Sequence, residues 1–135
     1  MPPDLQEVLR WLEKADHDRL NVELLLGQDQ PMTDVAAFHC QQAVEKLLKA
    51  YLTFREHEFE KTHDLRALTN LCARYDPSFT GLLDQVEPLT AFAVRFRYPG
   101  PSDPTLDQVR QALSVVHAVK ANVIGKLPRE IFDPN

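Results

Sequence analysis

A chain of 135 residues has the size of one domain with one hydrophobic core, and 44% hydrophobic against 26% charged residues excludes a chain that stays disordered. A formal charge of −5 excludes a uniformly basic nucleic-acid coat, so any phosphate-binding surface must gather its Lys and Arg locally. The four glycines form no phosphate-cradling loop, which excludes P-loop and Rossmann nucleotide sites.

From Leu5, the residues Val8, Leu9, Leu12, Ala15, Val22 and Leu26 recur at spacings that predict one face of a helix ending at Gly27. Asp29 to Pro31 reads as a turn. Thr33 is the expected cap of a second helix running to about Arg55, with Asp34 in its first turn, where the helix dipole favours a carboxylate. The charged connection Glu56 to Lys61 leads to a third helix predicted to start at Thr62 or His63, with Leu65, Leu68, Leu71 and Cys72 inward.

Asp76 and Pro77 close that helix, and a fourth segment from Phe79 to about Phe96 keeps helical register through Leu82, Leu83, Val86, Leu89, Ala93 and Phe96. Pro88 lacks an amide proton, which predicts a kink or restart there. Asp103 and Pro104 suit the cap and first position of a last helix, which sets Leu106, Val109, Leu113, Val116, Val123 and Leu127 on one side.

These segments, joined by mostly short connections, predict an all-α, antiparallel up-and-down helical bundle of four to five helices. Residues 1–135 form one domain in this reading, with a core over about 4–127 and a flexible tail over 128–135. Cys40 and Cys72 fall among apolar residues and are expected to be core thiols in a reduced, cytoplasmic setting, with no membrane segment. Trp11, Phe92 and Phe96 are candidates for an exposed apolar edge, which fits a homodimer.

On the second helix, at about 100° per residue, Ala36, Cys40, Ala43, Val44, Leu47, Tyr51 and Phe54 share one side. His39, Gln42, Lys46 and Lys49 lie roughly opposite, as a polar stripe facing solvent, and Glu45 stands four residues before Lys49 in the favourable direction for an ion pair. The stripe is either a solvated helix face or a binding surface. Arg95, Arg97 and Tyr98 precede Pro99 and Gly100; two guanidinium groups and a phenol there suit phosphate recognition, or simply the negative end of a helix dipole.

The run from Glu56 to Asp64 is rich in carboxylates and imidazoles, but it lacks the ligand spacing of a metal site, and no metal or cofactor is expected. His63 reads as a helix-start residue able to face a ligand. No Gly-x-Ser-x-Gly is present, and the cysteines lie on core faces, so nucleophilic hydrolase chemistry is not expected.

The run from Ala37 to Leu52, followed by Lys61-Thr62-His63-Asp64-Leu65 and then by Arg97-Tyr98-Pro99, resembles the HEPN family. The opening helix is also similar, at Trp11-Leu12, Ala15, Asp16 and Leu24-Leu25-Leu26. The resemblance implies an antiparallel helical bundle, commonly homodimeric, found beside or fused to minimal nucleotidyltransferases and binding nucleotides or RNA. It implies ligand-binding roles for His39, Gln42, Lys46, Lys49, His63, Arg95, Arg97 and Tyr98.

Some members of that family are metal-independent ribonuclease toxins that use an Arg followed by a His near the end of the penultimate long helix. Here the matching positions after Arg95 are Gly100, Pro101 and Ser102, and those after Arg97 are Ser102, Asp103 and Pro104, with no imidazole among them. Arg10 with His17 and Arg110 with His117 carry such a spacing in other parts of the chain. The expectation is a non-catalytic nucleotide- or RNA-binding module acting with a nucleotidyltransferase partner. The alternatives are a ribonuclease toxin of a toxin-antitoxin pair, in which Arg97 meets a His from elsewhere such as His63, and a structural dimerisation or scaffold protein.

Overall fold

Val8, Leu12, Ala15 and Val22 share one helical face and are buried. In the computed structural model, which describes residues 3–59, 61–92 and 103–132, they belong to α1 (Leu5–Leu26). Asp4 caps α1 by accepting from the Glu7 amide at 3.0 Å, satisfying one of the amides that a helix start leaves without a partner.

The second helix, α2 (Thr33–Phe54), begins one residue before the sequence expectation. Met32 occupies the cap position without a side-chain bond, and Thr33 is already helical. Asp34 does lie in the first turn, where its carboxylate accepts from the Val35 amide at 2.9 Å. At its other end α2 stops in a Schellman arrangement, with the His57 amide bonded to the Leu52 carbonyl and the Glu56 amide to that of Thr53. Glu56 holds φ 56°, a left-handed conformation that favours glycine.

The third helix, α3 (Leu65–Ala73), starts later than Thr62 or His63 because Asp64 is its cap, bonded to the Ala67 amide. Thr90 from the next helix accepts the Leu65 amide at 3.1 Å, so the start of α3 is fastened from two sides. Asp76 then caps a 3₁₀ helix, Pro77–Leu82, and α4 (Leu83–Thr90) follows it. The restart therefore lies at Leu82 and Leu83, and Pro88 sits within α4 rather than at a break.

Thr105, not Asp103, caps α5 (Leu106–Gly125), in a capping box where its hydroxyl accepts from the Gln108 amide and Gln108 accepts from the Thr105 amide. Residues expected to be a flexible tail include a further 3₁₀ turn, Arg129–Ile131, with Ile131 buried. The described residues contain five α-helices and no strand, an all-α antiparallel bundle.

α2 is the axis of this arrangement: it packs against α1, α3, α4 and α5. Thirteen of its residues are buried, which is more than one face of a 22-residue helix supplies. Both cysteines are buried in this core, and burial pushes each thiol up to about 12, with the Asp18 charge adding to the shift at Cys40. The Cys72 thiol donates to the Leu48 carbonyl. Phe92, an expected exposed edge, is buried instead, because it closes the end of α4 against the core; Trp11 is half-buried, and Phe96 lies outside the described residues. Among the described residues no helix is long and apolar enough to cross a membrane.

Candidate functional site

Asp18 stands three residues after Ala15 and four before Val22, in the row of α1 that faces the core, so helix geometry alone carries its carboxylate inward. It is 6% exposed. There it accepts from Lys46 Nζ at 2.6 Å through one oxygen and from His39 Nδ1 at 2.8 Å through the other. The partners come from α2, seven residues apart and hence on one side of that helix.

Glu45, the residue before Lys46 on α2, repeats the arrangement. It is 4% exposed and accepts from Lys49 Nζ at 3.0 Å, His63 Nδ1 at 2.7 Å and Gln41 Nε2 at 3.1 Å. Burial pushes the Glu45 carboxyl up, but the hydrogen bonds from His63, Gln41 and Lys49 and the Lys49 charge outweigh burial and hold it below its ordinary value. Gln42 donates to the Gln41 side chain at 2.6 Å, which adds it to the network of Glu45.

The expected solvent stripe is therefore corrected. Lys49 is 8% exposed, while His39, Gln42 and Lys46 are half-buried. The cause is that α1 and the connection after α2 lie over this side of the helix while the remaining helices cover the other side. Lys49 is enclosed by rings as well as by Glu45: its Nζ lies 5.6 Å from the centroids of both Trp11 and Phe59. Those two rings meet edge to face at 6.2 Å, and Trp11 Nε1 is buried with no partner among the described residues.

A carboxylate only accepts, so in both His39 and His63 Nδ1 is the donor and Nε2 is turned away from the carboxylate. The His63 side chain is 59% exposed, which puts its second nitrogen within reach of a ligand. Lys46 keeps two further ammonium protons beyond the one given to Asp18. The seam thus presents a fixed ammonium donor from Lys46 and, on His39 and His63, an outward Nε2 that accepts in the neutral ring and donates in the protonated one, with the Gln42 amide between them. The arrangement suits an anion, and a histidine held by a carboxylate through Nδ1 is also poised to move protons.

The sequence expectation brought His39, Gln42, Lys46, Lys49 and His63 together, and the structure divides them between two networks on one helix, His39 and Lys46 on Asp18 and the other three on Glu45. It missed Asp18, Gln41, Trp11 and Phe59. Asp18 had a legible signal, an acidic residue in core register; Phe59, in a connecting segment, had none. Arg95, Arg97 and Tyr98 lie outside the described residues. The two other Arg and His spacings have separate attachments: His17 lies by Glu13, His117 by Glu23 and Arg110 by Asp107.

The donor-rich run before α3 is divided among structural tasks. His57 Nδ1 bonds to the Tyr75 hydroxyl, His63 to Glu45, and Asp64 caps the helix. Among the described residues no group of three or more His, Cys, Asp or Glu is placed to hold a metal ion. Near the seam, a cleft of about 260 Å³ beside Trp11 is lined by Glu7, Arg10 and Lys14, and one of about 540 Å³ beside Phe59 is lined mainly by acidic residues.

No curated protein and no solved structure matches the chain. A family model does: that of the HEPN domain matches residues 8–126, from the first turn of α1 to just past the end of α5. A match over nearly the whole chain, on a helical bundle whose central helix carries the site, shows that this chain belongs to the HEPN domain family.

Proposed function

We propose that this HEPN domain is a nucleotide- or RNA-binding module, non-catalytic and acting with a minimal nucleotidyltransferase partner. Membership of the family supports a nucleotide- or RNA-related role. The observation that carries the reading is the pair of buried carboxylates, Asp18 and Glu45, each fixing one lysine and one histidine along the α1–α2 seam. Preorganised donors bind phosphate oxygens without first losing side-chain freedom.

The two lysines are matched in number by the two carboxylates, so they alone give the seam little net attraction for phosphate. The reading accordingly includes Arg95, Arg97 and Tyr98 as further ligand contacts. Titration of the purified protein with nucleoside triphosphates and short RNAs tests it. Binding should weaken in Arg97→Ala and in the paired Asp18→Asn/Lys46→Met variant, which avoids stranding a buried carboxylate, and should fall with salt in proportion to the phosphates neutralised. Failure of both ligand classes to bind removes the reading.

A second reading, a metal-independent ribonuclease, draws on the Glu45–His63 contact, because an imidazole oriented through Nδ1 has the arrangement of a general base. Under that reading expression slows growth and degrades transcripts, and His63→Ala does neither. Simultaneous replacement of His39, Lys46, Lys49 and Arg97 with no change in any interaction would point instead to a scaffold. Homodimerisation is also proposed, and light scattering of the intact chain tests it.

A further inference from the structure

Trp11 is half-buried, and it lines the 260 Å³ cleft together with Glu7, Arg10 and Lys14. Its position is fixed from behind. Lys49 Nζ lies 5.6 Å from the Trp11 centroid, and Lys49 is itself tied to Glu45, the carboxylate that holds His63. Phe59 braces the indole edge to face. The buried Nε1, without a partner among the described residues, argues against a purely structural role, since a leucine or phenylalanine would cover the same core without an orphaned donor.

We propose that Trp11 is the stacking platform for one nucleobase of the bound ligand, with Arg10 and Lys14 receiving the adjoining phosphate. The inference rests on the nucleotide- or RNA-binding reading above and gives it a base subsite. The ligand chemistry is a single nucleotide unit, free or within single-stranded RNA. Stacking on an indole is favourable for any base, because every base presents a π-face. The charges set the orientation. Arg10 and Lys14 line the cleft of Trp11, whereas the cleft by Phe59 carries Asp4, Glu7, Glu56 and Glu58, which repel a phosphate. Glu7 lines both clefts, so the phosphate lies toward Arg10 and Lys14, and the base edge lies toward Glu7.

Trp11 is the sole tryptophan, so its fluorescence reports on this position alone. The intact chain is titrated with 5′-AMP, with octa-adenylate and with ribose 5-phosphate, and calorimetry on the same samples measures binding independently of the fluorophore. AMP or octa-adenylate should change Trp11 emission saturably, in step with the calorimetric curve. Ribose 5-phosphate should bind about tenfold more weakly and leave the emission unchanged. A response to octa-adenylate alone identifies RNA as the source of the nucleotide unit, and a response to AMP identifies free nucleotide.

Trp11→Leu, with helicity checked by circular dichroism, should weaken AMP or octa-adenylate binding about tenfold without affecting ribose 5-phosphate. If that variant does not fold, Arg10→Ala/Lys14→Ala takes its place and should weaken all three ligands. Calorimetric binding with unchanged Trp11 emission, or equal affinity for AMP and ribose 5-phosphate, overturns the base subsite while sparing the broader function. Absence of binding by calorimetry removes both.

Discussion

Along the α1–α2 seam two buried carboxylates each hold a lysine and a histidine, whereas between α3 and α4 the pairing of Arg66 with Glu87 and Asp84 lies in solvent. The contact distances do not separate the two: Lys49 to Glu45 and Arg66 to Glu87 are both 3.0 Å. Burial separates them. In solvent a broken ion pair is replaced by water, and the pair adds little; in the seam a lost partner strands Asp18, Glu45 or Lys49, each of them buried. The seam is therefore costly to alter one residue at a time, and that rigidity is what a preorganised binding surface requires.

The largest effect expected from this contrast is in Glu45→Ala, which removes the acceptor of Lys49, His63 and Gln41 together. Urea denaturation should show a loss of about 3–5 kcal/mol. A loss below about 1 kcal/mol would place Glu45 with the exposed pairs and break the comparison.

The pH dependence sharpens the same point. Glu45 is held below its ordinary value of 4.5 in the folded chain, so its contribution to stability is complete above that value and is lost as pH falls through the lower, folded pKa. Denaturation of the wild type should steepen its acid loss below about pH 4.5 relative to Glu45→Gln, which has no such proton to bind. Parallel curves for the two proteins would show that the carboxylate is not stabilised by the fold.

A smaller effect of opposite sign is expected at the connection that brings Phe59 and His63 to the seam. Glu56→Gly relieves the left-handed backbone at φ 56° and should stabilise the chain by about 0.5–1 kcal/mol, read as a rise in melting temperature. Smallest of all, Arg66→Ala should change stability by no more than about 0.5 kcal/mol, since its partners Asp84 and Glu87 are exposed.

Much of the bundle was legible. Apolar periodicity placed α1 and α2 to within a residue and α5 to within two, because that signal acts within a few residues of chain, although the caps of α2 and α5 are Met32 and Thr105 rather than Thr33 and Asp103. The start of α3 and the restart before α4 were misplaced. Asp64 and Thr90 together fasten the first, and the second follows from a 3₁₀ stretch that apolar spacing does not distinguish from an α-turn. The four site residues of α2 and His63 were legible as a group through resemblance; of their neighbours, Asp18 on α1 was signalled only by its core register, and Phe59 in the connection had no signal.

By itself the sequence determined that the chain is an all-α bundle, that Cys40 and Cys72 are core residues, and that Glu45 reaches Lys49 four residues on. Only the tertiary structure decided that this pair is buried and that Asp18 binds His39 and Lys46 across helices. Periodicity divides a helix into an inner and an outer face relative to one neighbour. Because α2 is covered by α1, α3, α4 and α5 together, its nominal outer face is also interior, and the lysines placed there became anchored donors rather than solvated charges.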